Sequence, residues 1–232
     1  MNSKIPVEFE RGYTKFLNCK IDLRNRVFIP RIETEFWTGK AIQELVGKKN
    51  SELRILDIFA GSGCIGISIL KNVKNSLVDF ADIDKKAIEQ IKINLKLNLP
   101  RTELVLMRGK ISKSRYRIFR SNLFEKLRNK KYDFIFANPP YVAKERIKDV
   151  QLSVLKYEPK TSFLAGKKGL FYVRKFLKEA KRFMKPGGII YLEFDLEQKN
   201  DILNILKKKN YKNSQFFKDQ FKKWRWTKIT YH

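Results

Sequence analysis

Short apolar runs of strand length alternate with longer amphipathic segments, and this alternation restricts the fold more than any other feature of the sequence. Patterns typical of buried strands occupy residues 54–59, 77–81, 132–137 and 189–194, and a hairpin pattern covers 215–217 and 226–231. Helical periodicity occupies residues 34–46, 64–72, 84–97, 169–184 and 196–209. Strands that alternate with helices form βαβ units around a parallel sheet. We therefore predict an α/β fold with a mainly parallel sheet that ends in a C-terminal antiparallel hairpin.

The organisation of the 232 residues indicates one main unit, since no internal repeat and no linker rich in glycine or serine interrupts them. We predict that residues 1–50 form an N-terminal extension, with a strand and a helix, that packs on a main domain at 51–232. Few helix signals precede Val27, where we expect a strand. Residues 110–120 are basic and begin with little apolar content, so we expect a loop or hairpin insertion there.

The composition excludes several classes of chemistry. The only histidine, His232, is the last residue, and terminal residues are usually poorly ordered. This argues against Ser-His-Asp or Cys-His catalysis and against histidine-bound metals, and we predict no metal site. The two cysteines, Cys19 and Cys64, form no CxxC pattern, which indicates a reducing compartment and a cytoplasmic protein. No apolar stretch approaches the roughly 20 residues that span a bilayer, so we expect no membrane contact.

The charge of the chain is strongly positive. Its 51 lysine and arginine residues against 24 aspartate and glutamate residues give a formal net charge of +27. A field of that sign accelerates association with polyanions and weakens with salt. Two interpretations stay open: the charge serves contact with RNA, DNA or the ribosome, or it reflects a codon bias toward lysine spread over a solvated surface.

A glycine-rich turn follows the first predicted buried strand, in the segment FAGSGC at 59–64. Glycine allows a tight turn and the close approach of a ligand where a Cβ atom would clash. Asp82 follows at the end of the next predicted strand, where a carboxylate commonly binds the ribose hydroxyls of a nucleoside. Asp57 lies inside the first strand, where it would repel a pyrophosphate but suits a ligand that carries an ammonium group. The pattern therefore favours S-adenosylmethionine (SAM) over a dinucleotide.

Asn138, Pro139, Pro140 and Tyr141 follow the predicted strand at 132–137, at the same sheet edge as the glycine turn. The two prolines hold the backbone rigid and remove two N–H donors. The Asn138 side-chain oxygen and the Pro139 carbonyl can then each accept one hydrogen of a planar NH2 group, while Tyr141 covers its face. An amide or exocyclic amine is a poor nucleophile because its lone pair is delocalised, and two such acceptors direct that lone pair toward a methyl donor. The segment therefore predicts N-methylation.

The segments DIFAGSG and NPPY resemble those of amino-group methyltransferases of the class I SAM-dependent fold. Further segments resemble the protein-(glutamine-N5) methyltransferases, the HemK/PrmC family that modifies peptide chain release factors. These segments are FIPRIETE at 28–35, Glu158-Pro159, Leu164, Gly166, Gly169-Leu170, KPGG at 185–188, Leu192-Glu193 and Gln198. The resemblance runs from Val27 to Gln198 in the family's order. It implies a Rossmann-like sheet of seven strands and a SAM-dependent methyltransferase domain over 51–232.

The resemblance also implies roles for single residues. The SAM loop would consist of Phe59, Ala60, Gly61, Ser62 and Gly63. Asp82 would bind the ribose, and Leu123 would pack beside the adenine. Asn122 stands where the family usually has an acidic residue, and its amide oxygen would accept a hydrogen bond from the adenine amino group. Residues 138–141 would hold the glutamine amide of a release factor, the implied protein partner.

Two features depart from the family pattern. Phe59 stands where the family has the first glycine of its GxGxG motif, and FAGSG is common among DNA and ribosomal-RNA methyltransferases. Only a short segment precedes Val27, so we expect the family's usual helical N-terminal docking domain to be lacking.

Two alternatives to glutamine methylation stay open. In the first, the same fold methylates an adenine amino group in DNA or RNA, which requires the base to be flipped out of its stack. In the second, the chain is a SAM- or RNA-binding module without catalysis, and the intact NPPY segment counts against this.

Overall fold

The computed structural model describes residues 4–48, 52–100, 106–107, 110–111 and 114–232. Its α-helices are α1 Val7–Arg11, α2 Ile32–Val46, α3 Cys64–Asn72, α4 Lys85–Asn98, α5 Leu152–Tyr157, α6 Phe171–Glu179 and α7 Lys199–Lys208. Its strands are β1 Tyr13–Phe16, β2 Cys19–Asp22, β3 Leu53–Ile58, β4 Ser76–Asp82, β5 Leu106–Met107, β6 Lys110–Ile111, β7 Tyr116–Arg120, β8 Tyr132–Ala137, β9 Met184–Glu193, β10 Asn213–Lys218 and β11 Trp224–Thr230. Short 3₁₀ turns lie at Lys144–Asp149, Lys160–Ser162, Lys167–Gly169, Ala180–Phe183 and Leu196–Gln198.

The central sheet has seven strands in the order β10-β11-β9-β8-β3-β4-β7. β3 pairs in parallel with β4 and β8, β4 pairs in parallel with β7, and β8 pairs in parallel with β9. β11 pairs antiparallel with both β9 and β10. The predicted α/β fold, a mainly parallel seven-stranded sheet with a C-terminal antiparallel hairpin, is therefore confirmed.

Two apolar cores cover the two faces of this sheet. One includes Trp37 of α2, Ile67 of α3 and Ile91 of α4, and the other includes Phe176 of α6 and Ile202 of α7. All five side chains are fully buried. Helices on both faces bury strands that are apolar on both sides, which explains why the sequence of these strands reads as continuous apolar runs.

The N-terminal residues join the first core through the β1–β2 hairpin, whose Phe16 and Ile21 are buried in it. Asp22 N–H donates to Asn94 Oδ1 at 2.8 Å, and Asn94 Nδ2 donates back to the Asp22 carbonyl at 3.2 Å, which joins the hairpin to α4. Helix α1 is not predicted by the sequence, and Val27, where a strand was predicted, lies outside the described strands. The division at residue 50 stays a prediction.

The predicted basic insertion at residues 110–120 is wrong for its second half. Tyr116–Arg120 is β7, the edge strand of the central sheet, paired with β4. Arg115 is buried and donates to backbone carbonyl oxygens at the end of α3, and Arg117 forms an ion pair with Asp79 at 2.7 Å. Both arginines make contacts within the fold. In the sequence their charge resembles that of an exposed loop, and for this reason the strand was not predicted. Residues 112–113 of the predicted insertion lie outside the described residues.

The region of α6 also differs from the prediction of one helix over 169–184. The α-helix ends at Glu179, a 3₁₀ turn covers Ala180–Phe183, and β9 begins at once at Met184. The KPGG segment therefore lies inside a strand instead of after a helix. Gly187 has a φ of 75° there and donates its N–H to the Tyr231 carbonyl at 2.8 Å, an edge contact that apolar periodicity does not reveal.

The carboxyl ends of three central strands are level with one another. Ile58 of β3 lies beside Ala81 of β4 on one side and beside Ala137 of β8 on the other. In parallel sheets ligands bind in the crevice outside this edge. The segments that follow these strands, and the loop after β7, therefore converge on one place.

Candidate active site

A cavity of about 360 Å³ opens at this edge of the sheet. Its lining includes most of the residues that the sequence predicts for the site, namely Phe59, Ala60, Gly61, Ser62, Asp82, Asn122, Leu123, Asn138, Pro139, Pro140 and Tyr141. Asp57 and Gly63 are not among the described residues that line it. Segments that are distant in the sequence, from Val27 to Tyr172, thus line one cavity.

The glycine turn joins β3 to α3 with three residues in the left-handed region. The φ angles of Phe59, Gly61 and Gly63 are 60°, 54° and 78°. Gly63 N–H donates to the Ala60 carbonyl at 2.7 Å and closes the turn. A Cβ atom on Gly63 would lie 3.1 Å from a side-chain carbon of Ile91, so packing as well as conformation favours glycine.

Phe59 occupies the left-handed conformation although it is not a glycine. Its ring meets the rings of Tyr172 and Phe176 edge to face, with centroids 6.0 and 6.2 Å apart. A left-handed non-glycine residue carries a strain of roughly 1–2 kcal/mol, and aromatic pairs of this kind are worth about 0.5–1.5 kcal/mol each. The packing on α6 therefore offsets the strain, and the turn keeps the shape that a glycine would give it.

Asp82 connects the glycine turn to the end of β4. Its Oδ2 atom accepts a hydrogen bond from Gly61 N–H at 2.8 Å, and its Oδ1 atom accepts one from Asp84 N–H at 2.9 Å. Burial raises the pKa of this carboxyl group, and the two backbone donors oppose that rise. The carboxylate thus sits at the cavity and fixes the turn that faces it.

Asp57 lies behind the glycine turn, beneath the start of α3. Its Oδ2 atom accepts from Gly66 N–H at 2.9 Å, while its Oδ1 atom has no hydrogen-bond partner among the residues that the structure describes. Complete burial raises the pKa of Asp57 to about 8. This position gives the carboxylate a structural contact with α3, and the predicted contact with a ligand ammonium group stays a prediction.

The loop after β7 forms the side of the cavity beyond Asp82. Asn122 donates its Nδ2 hydrogen to Glu125 Oε1 at 2.8 Å. Leu123 is 9% exposed and has a φ of 51°, and its carbonyl accepts from the Ser121 hydroxyl at 2.8 Å. A polar amide and an apolar side chain therefore lie next to each other on this wall.

The NPPY segment follows β8 directly and faces the glycine turn across the cavity. Asn138 Nδ2 donates to Thr34 Oγ1 at 3.3 Å, and the Tyr141 hydroxyl donates to Glu193 Oε1 at 3.4 Å. Burial and the nearby Glu193 carboxylate raise the pKa of Tyr141, so this phenol stays protonated. The segment is therefore held through its side chains by α2 and by the end of β9.

The backbone of the NPPY segment is held as well. Gln198 Nε2 donates to the Tyr141 carbonyl at 2.9 Å and to the Lys168 carbonyl at 3.0 Å. Gly169, with a φ of 66°, packs so closely that a Cβ atom would lie 2.0 Å from the Tyr141 oxygen. The glycine and the glutamine that the family resemblance singles out thus both contact this one carbonyl.

Three residues at the site were not assigned a role from the sequence: Thr34, Trp37 and Glu193. Glu193 is fully buried, and its Oε2 atom accepts from the Thr34 hydroxyl and from Trp37 Nε1, each at 2.7 Å. Burial raises the pKa of Glu193, and these two donors oppose the rise. The sequence signal was present, because Thr34 and Glu193 belong to the FIPRIETE and Leu192-Glu193 segments, but nothing in it shows that they touch.

A second long-range contact joins two other segments of the resemblance. Arg31 Nη2 donates to Glu158 Oε1 at 2.6 Å, and Ile29 N–H donates to Glu158 Oε2 at 3.2 Å. The Glu158 side chain is fully buried, while that of Arg31 is 28% exposed. The FIPRIETE segment therefore contacts the NPPY loop through Thr34 and contacts Glu158 through Ile29 and Arg31.

No group of three or more histidine, cysteine, aspartate or glutamate side chains among the described residues could hold a metal ion. No described helix is both long and apolar enough to cross a bilayer.

Comparison with known proteins places the chain in a family. The Methyltransferase small domain family matches residues 39–157. The release factor glutamine methyltransferase of Clostridium acetobutylicum is 31% identical to this chain, over 93% of the chain and 72% of the relative. The enzyme of the same name from Flavobacterium psychrophilum is 31% identical over 97% and 75%.

A solved structure supports the fold independently. The 16S rRNA N2 G1207 methyltransferase of T. thermophilus, in complex with AdoMet and guanosine, matches 95% of this chain and 50% of its own, with a TM-score of 0.62 and 14% identity. At that identity the likeness shows the class I methyltransferase fold alone. Together with the family match and the relatives, it means that the chain is a SAM-dependent methyltransferase and belongs to the release factor glutamine methyltransferase family.

Proposed function

We propose that this protein transfers the methyl group of SAM to the side-chain amide nitrogen of a glutamine in a protein, most directly in a peptide chain release factor. The observation that carries the proposal is the position of Asn138-Pro139-Pro140-Tyr141 on the wall of the same cavity as the glycine turn. The names of relatives at 31% identity support glutamine as the acceptor.

The residues at the glycine turn fit SAM. A Cβ atom built on Gly61 meets no described atom within 4 Å, so a ligand can lie directly over this backbone. Asp82 would accept hydrogen bonds from the ribose hydroxyls. Because Asn122 donates its NH2 group to Glu125, its amide oxygen is left to accept from the adenine amino group, and Leu123 would pack on the ring. SAM supplies an electrophilic methyl group on a sulfonium sulfur.

The NPPY segment would activate the acceptor by position. The Asn138 side-chain oxygen and the Pro139 carbonyl would each accept one hydrogen of the glutamine NH2 group, and Tyr141 would cover its face. These bonds strengthen as the nitrogen becomes tetrahedral, so they stabilise the transition state more than the ground state. No base has to remove a proton before attack, and the extra proton leaves the methylated amide afterwards, to water.

An adenine amino group in DNA or RNA is the alternative acceptor. Two observations favour it: the FAGSG form of the glycine turn and the net charge of +27. The structural neighbour from T. thermophilus was solved in complex with AdoMet and guanosine. The acceptor geometry would be the same, because an exocyclic amine is also a planar NH2 group. Contact of the basic surface with RNA or the ribosome is part of this proposal under either acceptor.

The decisive experiment follows labelled methyl from SAM into a cell extract and then divides the label by treatment with protease and with nuclease. We expect label in a protein of release-factor size, and we expect it to disappear when the glutamine of that factor's Gly-Gly-Gln segment is replaced. The Asn138→Ala variant is the control for transfer that does not depend on the site. Label that disappears with nuclease instead would assign the chain to nucleic-acid bases.

A further inference from the structure

The amide group of Asn138 could occupy its position in two orientations that differ by exchange of oxygen and nitrogen. Only one of them presents the oxygen to the cavity, and an NH2 group in that place would oppose a hydrogen of the substrate amide. The two orientations have nearly the same shape, so packing alone does not select between them. Selection requires a neighbour whose own hydrogen-bonding polarity is fixed.

Thr34 is such a neighbour, because its hydroxyl has a single hydrogen. The Thr34 hydroxyl donates that hydrogen to Glu193 Oε2 at 2.7 Å. The lone pairs of Oγ1 are then the groups left to face Asn138, and they can only accept. The observed contact agrees, since Asn138 Nδ2 lies 3.3 Å from Thr34 Oγ1.

Trp37 determines the direction of the hydrogen bond between Thr34 and Glu193. Its indole N–H can donate but not accept, and it contacts the same Glu193 oxygen at 2.7 Å. Glu193 Oε2 must therefore accept, whether or not the other oxygen, Oε1, carries a proton. Thr34, Trp37 and Glu193 are all at most 2% exposed, so water does not compete for these bonds.

We infer that Thr34 is a positioning residue that turns the Asn138 side-chain oxygen toward the acceptor nitrogen, through a chain of bonds whose direction Trp37 and Glu193 set. This inference rests on the proposed function, in which that oxygen accepts a hydrogen of the substrate NH2 group. It assigns to Thr34 of α2, which lies 104 residues from Asn138 in the sequence, a part in the transfer step itself.

Thr34→Val tests the inference, because valine keeps the shape and removes the hydroxyl. Thr34→Ser restores the hydroxyl, and Thr38→Val is the matched control. Thr38 lies one turn along the same helix and is equally buried, but its hydroxyl has no hydrogen-bond partner in the described part of the chain. We expect Thr34→Val to lower kcat on the order of 10- to 100-fold, less than removal of a preorganised group itself because the Asn138 amide is still present, and to leave the KM for SAM within about twofold. Thr34→Ser should recover most of kcat, and Thr38→Val should match the wild type.

A second measurement does not depend on activity. Hydrogen exchange of the Asn138 side-chain NH2 group, followed by NMR and assigned by its absence in Asn138→Ala, should be slow in the wild type and Thr34→Ser and fast in Thr34→Val. Exchange and kcat in Thr34→Val that equal those of the wild type would overturn the inference, as would a Thr34→Ser variant as impaired as Thr34→Val. If the wild type methylates bases and no glutamine, the proposed function fails instead, and the same variants then test the positioning role on the base amine.

Discussion

The two halves of the cavity are built in different ways. The cofactor half, which comprises the glycine turn and Asp82, is held mainly by hydrogen bonds between residues close in the sequence. Gly63 N–H closes the turn on the Ala60 carbonyl, Gly61 N–H donates to Asp82, 21 residues away, and Asn94 Nδ2 donates to the Ser62 carbonyl, 32 residues away. The acceptor half, which comprises the NPPY segment, depends on contacts between residues far apart in the sequence. Asn138 and Thr34 are 104 residues apart, and Gln198 and Tyr141 are 57 residues apart. A local turn can form as soon as its strand and helix meet, whereas the acceptor half requires the complete fold. Substitutions far from the reacting atoms should therefore harm transfer more readily than SAM binding.

The largest expected effect is a loss of transfer rate with SAM binding retained, in a variant changed only in the acceptor half. Asn138→Ala removes one of the two acceptors for the NH2 hydrogens and leaves the glycine turn and Asp82 in place. We expect the transfer rate to fall by about 10²- to 10³-fold, the loss typical of one preorganised group in a transition-state site. Single-turnover methyl transfer measures the rate, and calorimetric titration measures the Kd for SAM, which should change by less than about threefold. Losses of equal size in both quantities would contradict the assignment of Asn138 to the acceptor half.

The next prediction compares two glycines with similar backbone conformations. Gly169 and Gly187 have φ angles of 66° and 75°. A Cβ atom on Gly169 would lie 2.0 Å from the Tyr141 oxygen and 2.5 Å from Gln198 Nε2, whereas one on Gly187 meets no described atom within 4 Å. Both alanine variants carry the strain of the left-handed region, roughly 1–2 kcal/mol. Gly169→Ala should add the cost of displacing the NPPY backbone and lower the free energy of unfolding by about 3 kcal/mol or more.

Denaturant unfolding of the two variants, with transfer rates measured beside it, checks this comparison. Gly187→Ala should lose only the strain energy and keep its transfer rate. Gly169→Ala should lose rate as well as stability, because its clash falls on the segment that holds the acceptor. Equal stability of the two variants would mean that the Tyr141 carbonyl can move away freely, and the acceptor half would then be less rigid than its contacts indicate.

The same division explains what could be predicted from the sequence. The bounds of α3 and β8, the glycine turn and Asp82 follow from local signals, and they agree with the structure to within a residue or two. Strand β7 was missed because Arg115 and Arg117 appear as surface charge, although one donates to buried carbonyl oxygens and the other pairs with Asp79. Nothing local shows that Thr34 donates to Glu193, 159 residues away. Features set by neighbouring residues could be predicted from the sequence, whereas contacts between distant polar side chains became visible only in the folded structure.

A smaller effect is expected when the cofactor half is changed. Asp82→Asn keeps an oxygen that can accept from Gly61 N–H, but it loses the bond from Asp84 N–H and the charge that would strengthen bonds from the ribose hydroxyls. Hydrogen bonds to charged groups are worth about 1.5–3 kcal/mol, so we expect the Kd for SAM to rise on the order of tenfold. The transfer rate at saturating SAM should stay within about threefold of the wild type, the reverse of the pattern for Asn138→Ala. A loss of transfer rate with an unchanged Kd for SAM would mean that Asp82 belongs to the acceptor half and not to the cofactor half.

The cofactor half also contains one buried carboxyl group, Asp57, whose ionisation should make the free energy of unfolding depend on pH. Burial raises the pKa of Asp57 to about 8, against about 3.9 for an aspartate in an unfolded chain. Between these values the folded state binds a proton that the unfolded state does not, so the contribution of Asp57 to stability is fully present below about pH 4, falls as the pH rises toward 8, and changes no further above it. The slope for one proton is about 1.4 kcal/mol per pH unit.

Asp57→Asn should remove that slope, because asparagine resembles the protonated acid and can still accept from Gly66 N–H through its oxygen. Unfolding free energies at pH 6 and pH 7 should differ by about 1 kcal/mol more in the wild type than in the variant. Asp149→Asn serves as the control for loss of one aspartate at the surface, since this side chain is 53% exposed. Parallel curves for Asp57→Asn would mean that water or a counter-charge reaches the unpaired Oδ1 atom. Asp57 would then be an ionised carboxylate that its surroundings stabilise, and the cofactor half would contain a buried charge at neutral pH.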